Sequence, residues 1–447
     1  MEPTLAALLV VFDVLGPAFT RPGARNALIV FAGWVQTNGQ HAVTQALVAT
    51  DVARRRHWEA FHRFFSRGTW EPDRLGLLLL DRLITLIPET SPITVAVDDT
   101  LAAKKGQHVF GIGSHLDAVR STKAVRVFCF GHVWVVLAVV VRVPFSPRPW
   151  ALPLFFRLYR NKKECKKNGG LYRKKTELAR EMVDLLVRWV EGRNVNLVMD
   201  AAYCNKTVMR GLPSSVRVFG AMRPDAVLTA KPTRKRGQMG RSRKRGEVLP
   251  KPQALARNSR RPWQSSKIHL YGKVQTVQHK TLCAQWYRAS GEHLLKVVVV
   301  KMEQGRMPIR VFFCTDPELS VIHILETYSL RWSIEVTFRD LKQLLGFADS
   351  SARKQEAVER TAPFVGYIFT VLVVWFIEGA HCSKLAAPPV RPWYAHKRGL
   401  CFADILRAAQ RTLSTFDVLD PGRSDGDLRV CGPGPGRGAV RHPKEAA

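Results

Sequence analysis

The 447-residue chain carries 69 Lys and Arg against 36 Asp and Glu, a formal net charge of +33. A surplus of that size attracts polyanions and gains free energy by releasing their counterions, which makes nucleic acid the first partner class and an anionic membrane surface the second. Hydrophobic residues at 46% and charged residues at 23% exclude a disordered chain and supply a large core.

The eight cysteines stand at 129, 165, 204, 283, 314, 382, 401 and 431 with no C-x-x-C pair, which argues against a zinc ribbon and against a disulfide framework. The N-terminal MEPTLAALLVVFDVLG has acids at Glu2 and Asp13 and no basic leader, so it does not read as a signal peptide. The expected setting is cytoplasmic and nucleoid-associated, without a membrane.

Residues 1–88 read as a helical N-terminal domain. HWEAFHRFFSRGTWEPDRLGLLLLDRLITLIP has apolar residues at three- and four-residue spacing and ends at Pro88. Upstream, AVTQALVATDVARRRHWEAFHRFF fits a DNA-binding helix-turn-helix no better than a plain packing domain. From Ile93 the texture turns to strands: ITVAVDD, then the β-branched run 127–143, then VNLVMD and VRVFGAM. Residues 170–192 between them read as an amphipathic helix. Strands interleaved with helices give an α/β class, with residues 89–204 as the first part of the core.

Residues 205–316 read as a β-rich insertion. Within it, 231–267 is a basic, Pro- and Gly-rich loop without apolar periodicity. Residues 317–415 read as the helical second part of the core, and the apolar run Pro363 to Ile377 suits a buried helix better than a membrane span. Residues 416–447 have the composition of a disordered tail.

Three segments carry candidate chemistry. ITVAVDDT runs into Asp98 and Asp99, and VNLVMD ends at Asp200. Strand-end aspartates of this kind also serve as ordinary ion ligands or helix caps. ETYSLRWSIEVTFRDLKQLLGF (326–347) is more specific. On one helix with Tyr328 at 0°, Arg331 falls at about −60°, Glu335 at about −20° and Lys342 at about −40°. Leu330, Ile334, Phe338, Leu341 and Leu345 make a separate apolar stripe. A solvated face with an Arg331–Glu335 ion pair would show the same wheel.

The pattern Y-x2-R-x3-E-x6-K, unbroken as Tyr328, Arg331, Glu335 and Lys342, resembles the signature of the YREK group of DDE-superfamily insertion-sequence transposases. The order of acids agrees: an Asp before Thr, a second strand-end Asp, then the helix. The resemblance implies a ribonuclease-H-like core with a helical N-terminal domain and a β-rich insertion, for which the 135 residues from Asp200 to Glu335 leave room. It implies catalytic, metal-holding Asp99, Asp200 and Glu335, with Asp98 as the alternative first acid. Alternation sends the two neighbours to opposite faces, so one of them meets the metals.

By the same resemblance, two Mg²⁺ ions (Mn²⁺ substituting) serve cleavage of transposon ends and joining of the 3′-OH to target DNA. Tyr328, Arg331 and Lys342 would contact phosphates. The partners are double-stranded DNA, terminal inverted repeats and target DNA, with a homodimer on paired ends. A catalytically decayed, DNA-binding derivative and another ribonuclease-H-like endonuclease are the alternatives. The basic clusters 161–175 and 231–267 are expected on phosphate backbones. Trp263, Trp286 and Tyr287 read as core more than as base-stacking aromatics.

Overall fold

The computed structural model describes residues 3–106, 108–122, 124–234, 239–241, 243–270, 272–302, 309–389, 392–394, 399–414, 416–417 and 419. The expected disordered tail therefore lies almost wholly outside the described residues, as do 235–238 and 242 of the basic loop.

The N-terminal part is helical as read. It comprises α1 (Pro3–Asp13), α2 (Arg21–Gln36), α3 (Val43–Ala49), α4 (Glu59–Ser66) and α5 (Pro72–Ile84). Thr20 caps α2 through its side chain, which accepts from Gly23 N, and Pro22 sits in the first turn, where its missing N–H costs nothing. These helices do not form a separate bundle. Trp34 Nε1 donates to Leu345 O at 2.9 Å and Gln36 Nε2 to Leu413 O at 2.8 Å, so α2 is fixed to the C-terminal half of the chain.

The core follows as β1 (Ile93–Ala103), β2 (Gly113–Leu116), β3 (Phe128–Val143), β4 (Ser146–Tyr159), α6 (Lys162–Asn168), α7 (Lys175–Trp189), β5 (Val195–Met199), α8 (Lys206–Met209) and β6 (Val216–Met222). Then come α9 (Pro252–Arg257), β7 (Gln264–Leu270), β8 (Lys273–Gln285), α10 (Tyr287–Ser290), β9 (Leu294–Lys301) and β10 (Ile309–Cys314). The chain continues through α11 (Val321–Ser329), α12 (Trp332–Leu344), α13 (Gln355–Ile377) and α14 (Phe402–Leu413).

All ten strands join one mixed sheet, in the order β2-β3-β1-β5-β6-β10-β9-β8-β7, with β4 paired to β3. β1 is central. It runs antiparallel to β3 on one edge and parallel to β5 on the other, and β5 is parallel to β6. This is the α/β, ribonuclease-H-like core with a helical N-terminal part that the sequence suggests. The β-rich stretch between Asp200 and Glu335 is not a free-standing insertion, however. β6 bonds β10, and β10, β9, β8 and β7 carry the core sheet onward. Hydropathy marks these strands but is silent on which edge they join.

α13 is the described helix long and apolar enough to cross a membrane, and nearly all of it is buried. It packs on β4, α5, α4, α1 and α14. Close approach is possible because Gly366 faces Phe156 of β4: a Cβ there would lie 2.1 Å from the ring. α5 reaches the same strand through Gly76, whose Cβ would meet Leu154 O at 2.2 Å.

The sheet faces two apolar clusters. Leu197 and Met199 belong to the larger one, and Val198 between them to the smaller, which α11 covers with Ile324 and Leu325. This alternation fixes which way the residues at the end of β5 point.

Candidate active site

Strand register brings the first two acids together. Val97 of β1 pairs with Met199 of β5, the last parallel pair. The next position on each strand is Asp98 and Asp200. Asp200 therefore follows the carboxyl end of β5, beside Asp98, which lies midway along the longer β1 where the parallel pairing stops.

The third acid arrives from the helices above. The reading of 326–347 as one straight helix needs correction. α11 ends at Ser329 and α12 begins at Trp332. Between them the bonds Leu330 N to Thr327 O, Arg331 N to Tyr328 O, Ser333 N to Leu330 O and Ile334 N to Arg331 O, at 3.1–3.2 Å, all span three residues. Ser329 and Ser333 hydroxyls donate to Glu326 O and Leu330 O, each at 2.7 Å. Such side-chain bonds and the tighter three-residue turn break the 100° rotation, so Tyr328 lies on α11 while Glu335 and Lys342 lie on α12.

Arg331, in that turn, joins two of the acids. Its Nη1 lies 3.1 Å from Asp98 Oδ2 and 2.7 Å from Glu335 Oε1. Its Cζ stands 6.0 Å from the centroid of the Tyr328 ring, which packs on Phe312. Burial pushes the Asp98 carboxyl up to about 7, with the negative charges of Asp99 and Asp200 adding to the rise and Arg331 opposing it. Asp200 also raises Tyr328 and Tyr203 alongside their burial, and its own Oδ1 accepts from Ala201 N at 2.6 Å.

Asp99 faces the other way. Its Oδ1 accepts from Tyr203 Oη at 2.6 Å and its Oδ2 pairs with Lys175 Nζ at 2.7 Å. Lys175, at the start of α7, also lies 5.5 Å above the Tyr159 ring. The sequence-based preference for Asp99 as the acid that meets Glu335 does not match these contacts. Asp98 shares Arg331 with Glu335, because the β1–β5 register, not the Asp-Thr dipeptide, sets the inward face.

Lys342 is two turns beyond Glu335. Burial lowers its pKa, and the acid acting on it is Asp117, not a member of the site. Residues 161–175, expected on phosphate backbones, include α6. There Asn161 caps the helix by accepting from Glu164 N at 2.8 Å while Lys162, Lys163, Lys166 and Lys167 are exposed. Trp263 and Trp286 pack against the larger core, whereas Tyr287 is flanked by Arg245 and Arg210 at 4.4 and 5.5 Å. Sequence reasoning passed over Tyr203 and the pairing of Lys175. Their only signal was proximity, Tyr203 following Asp200 by three positions and Lys175 closing a basic cluster.

Among the described residues, no three His, Cys, Asp or Glu side chains already stand grouped as metal ligands. The donor chemistry nevertheless fits a hard divalent cation. Asp98 and Glu335 are carboxylates on facing elements, and a cationic nitrogen already bridges them in the Arg331 guanidinium.

Carboxylates from adjacent strands of a mixed sheet, with Glu335 of α12 sharing Arg331 with Asp98, form the candidate acid site. The comparisons give the family. Residues 14–284, 271 of the 447, match the model described as DDE superfamily endonuclease, and the chain belongs to that family. Residues 286–379, which include Glu335, match the model described as archaeal putative transposase ISC1217. Together these matches make the chain a transposase-type DDE protein. No curated protein matches it. A piggyBac transposase synaptic complex with hairpin DNA, solved by cryo-EM, is similar at a TM-score of 0.42 and 9% identity, covering 89% of this chain and 73% of that one.

Proposed function

We propose that the chain is a DNA transposase whose acid triad is Asp98, Asp200 and Glu335, cleaving transposon ends and joining the freed 3′-OH to target DNA. The observation that carries this reading is the sharing of one guanidinium by Asp98 and Glu335, with Asp200 next in register to Asp98. These three carboxylates would hold two Mg²⁺ or Mn²⁺ ions. When bound, such ions supply charge neutralisation at the phosphate and activation of the oxygen nucleophile.

The protein's own groups have distinct work. Arg331 and Tyr328 are set to contact the phosphate beside the acids, Arg in bidentate fashion. Lys342 would contact the strand further along α12. Asp99 holds Lys175 and Tyr203, stiffening the opposite face of β1. The exposed lysines of α6 and the basic stretch 231–267 would track phosphate backbones without reading bases. The helices before β1 would take part in recognising terminal repeats, and a homodimer would pair two ends, in the cytoplasm and on the nucleoid.

A cleavage assay on DNA carrying the element's ends, with and without Mg²⁺, tests this reading. Cleavage that needs Mg²⁺ and is lost in Asp98→Asn is the expected result. Cleavage unaffected by Asp98→Asn overturns the triad.

A further inference from the structure

We propose that Arg331 is an exchangeable internal counter-ion of the acid site: it bridges Asp98 and Glu335 when no divalent cation is bound and leaves them for a DNA phosphate when one is, so that metal and DNA strengthen each other's binding. The inference rests on the acid assignment above and concerns what the arginine does there.

Asp98 is half-buried near Asp99 and Asp200, and Glu335 comes from a different element, so without a cation between them these carboxylates repel. Arg331 Nη1 lies within hydrogen-bonding distance of one oxygen of each. A divalent ion held by those same carboxylates competes with the guanidinium for their charge, so the two cations exclude each other.

The second observation is that Arg331 is not fully used where it sits. Its side chain is 16% exposed, yet Nε is buried with no hydrogen-bond partner among the described residues. A guanidinium has five N–H donors, and buried donors in folded proteins are generally paired. A buried unsatisfied donor costs roughly 1–3 kcal/mol, so another acceptor would improve on the resting arrangement. A phosphate offers planar, bidentate acceptance, and Arg331 stands in the turn between α11 and α12, beside two of the acids and still 16% exposed.

Coupling then follows from linkage. If metal releases Arg331 to DNA, DNA must by the same factor release the carboxylates to metal.

The test is Mn²⁺ titration of the full chain by calorimetry, alone and with a saturating duplex of arbitrary sequence, subtracting the duplex's own uptake. Duplex should tighten wild-type Mn²⁺ binding about tenfold, within the usual range of coupling between sites. Arg331→Ala should bind Mn²⁺ about tenfold tighter than wild type without DNA and gain little more from duplex. Arg339→Ala removes the same charge further along α12, where Arg339 pairs with Asp340, and should behave as wild type. Arg331→Lys keeps the charge and gives an intermediate gain, which serves if the alanine variant does not fold. Exchange is overturned if Arg331→Ala matches wild type, or if Arg339→Ala tightens Mn²⁺ as much. Equal Mn²⁺ binding by wild type and Asp98→Asn would instead overturn the acid assignment itself.

Discussion

Asp98 and Asp99 are neighbours in the chain and stand on opposite faces of β1 in opposite company. Asp98 meets Arg331, which it shares with Glu335, at the end of the parallel pair of strands. Asp99 is enclosed by Lys175 and the Tyr203 hydroxyl, its two oxygens each taken by one donor. The first carboxylate shares its cation with another acid, Glu335. The second has a lysine and a tyrosine hydroxyl to itself. Two identical side chains thus acquire different chemistry from a rotation of half a strand repeat, and the difference is set by neighbours more than by residue type.

The comparison is broken most sharply by exchanging charge on the two faces. Asp98→Asn should lower end cleavage by more than ~10²-fold, since even residues that only support metal ligands cost 10–100-fold. Asp99→Asn should keep measurable cleavage and lose thermal stability. Equal loss in both variants, measured by initial cleavage rates, would remove the distinction between the faces.

Glu335→Gln comes next. It keeps shape and hydrogen-bonding capacity and removes one negative charge. Metal binding and cleavage should collapse, while duplex affinity in a gel-shift titration stays level or rises. Near-wild-type cleavage by this variant would make Glu335 merely the i+4 partner of Arg331 on a helix surface.

A smaller effect is expected from Tyr203→Phe, which deletes the 2.6 Å bond to Asp99. Stability should fall by about 1–2 kcal/mol in chemical denaturation, with cleavage reduced less than tenfold. A catalytic loss matching that of Asp98→Asn would mean that the Asp99 face takes part in the reaction.

The smallest change tests binding apart from either face. Duplex affinity should weaken steeply as salt rises, and deleting residues 234–246 should flatten that dependence by a few phosphate contacts without altering Mn²⁺ binding. A flat salt dependence in the intact chain would contradict the role given to the basic segments.

Much of this architecture was written locally. The helical N-terminal part, the strands at 93–103, 195–199 and 216–222, and a buried helix around Pro363 to Ile377 follow from periodicity and β-branched composition. Asp200 and Glu335 stand out as candidates in the sequence because a strand end and a spaced motif are both short-range features. The excess of positive charge points to nucleic acid as the first partner class without any structure.

What the sequence left open were chiefly matters of long-range geometry. Alternation places Asp98 and Asp99 on opposite faces but does not say which face is inward. That depends on the β1–β5 register, between segments about a hundred residues apart. The kink at Leu330 and Arg331 has no proline or glycine to announce it and arises from serine hydroxyls bonding back to carbonyls. The merging of β7–β10 into the core sheet depends on the unpaired edge of β6 accepting β10. The break at Leu330 and Arg331 is set by local side-chain bonds that periodicity does not show, whereas for the inward face and the sheet extension the deciding contact joins distant parts of the chain. Local propensity carries no record of such a contact, and only the folded sheet supplies it.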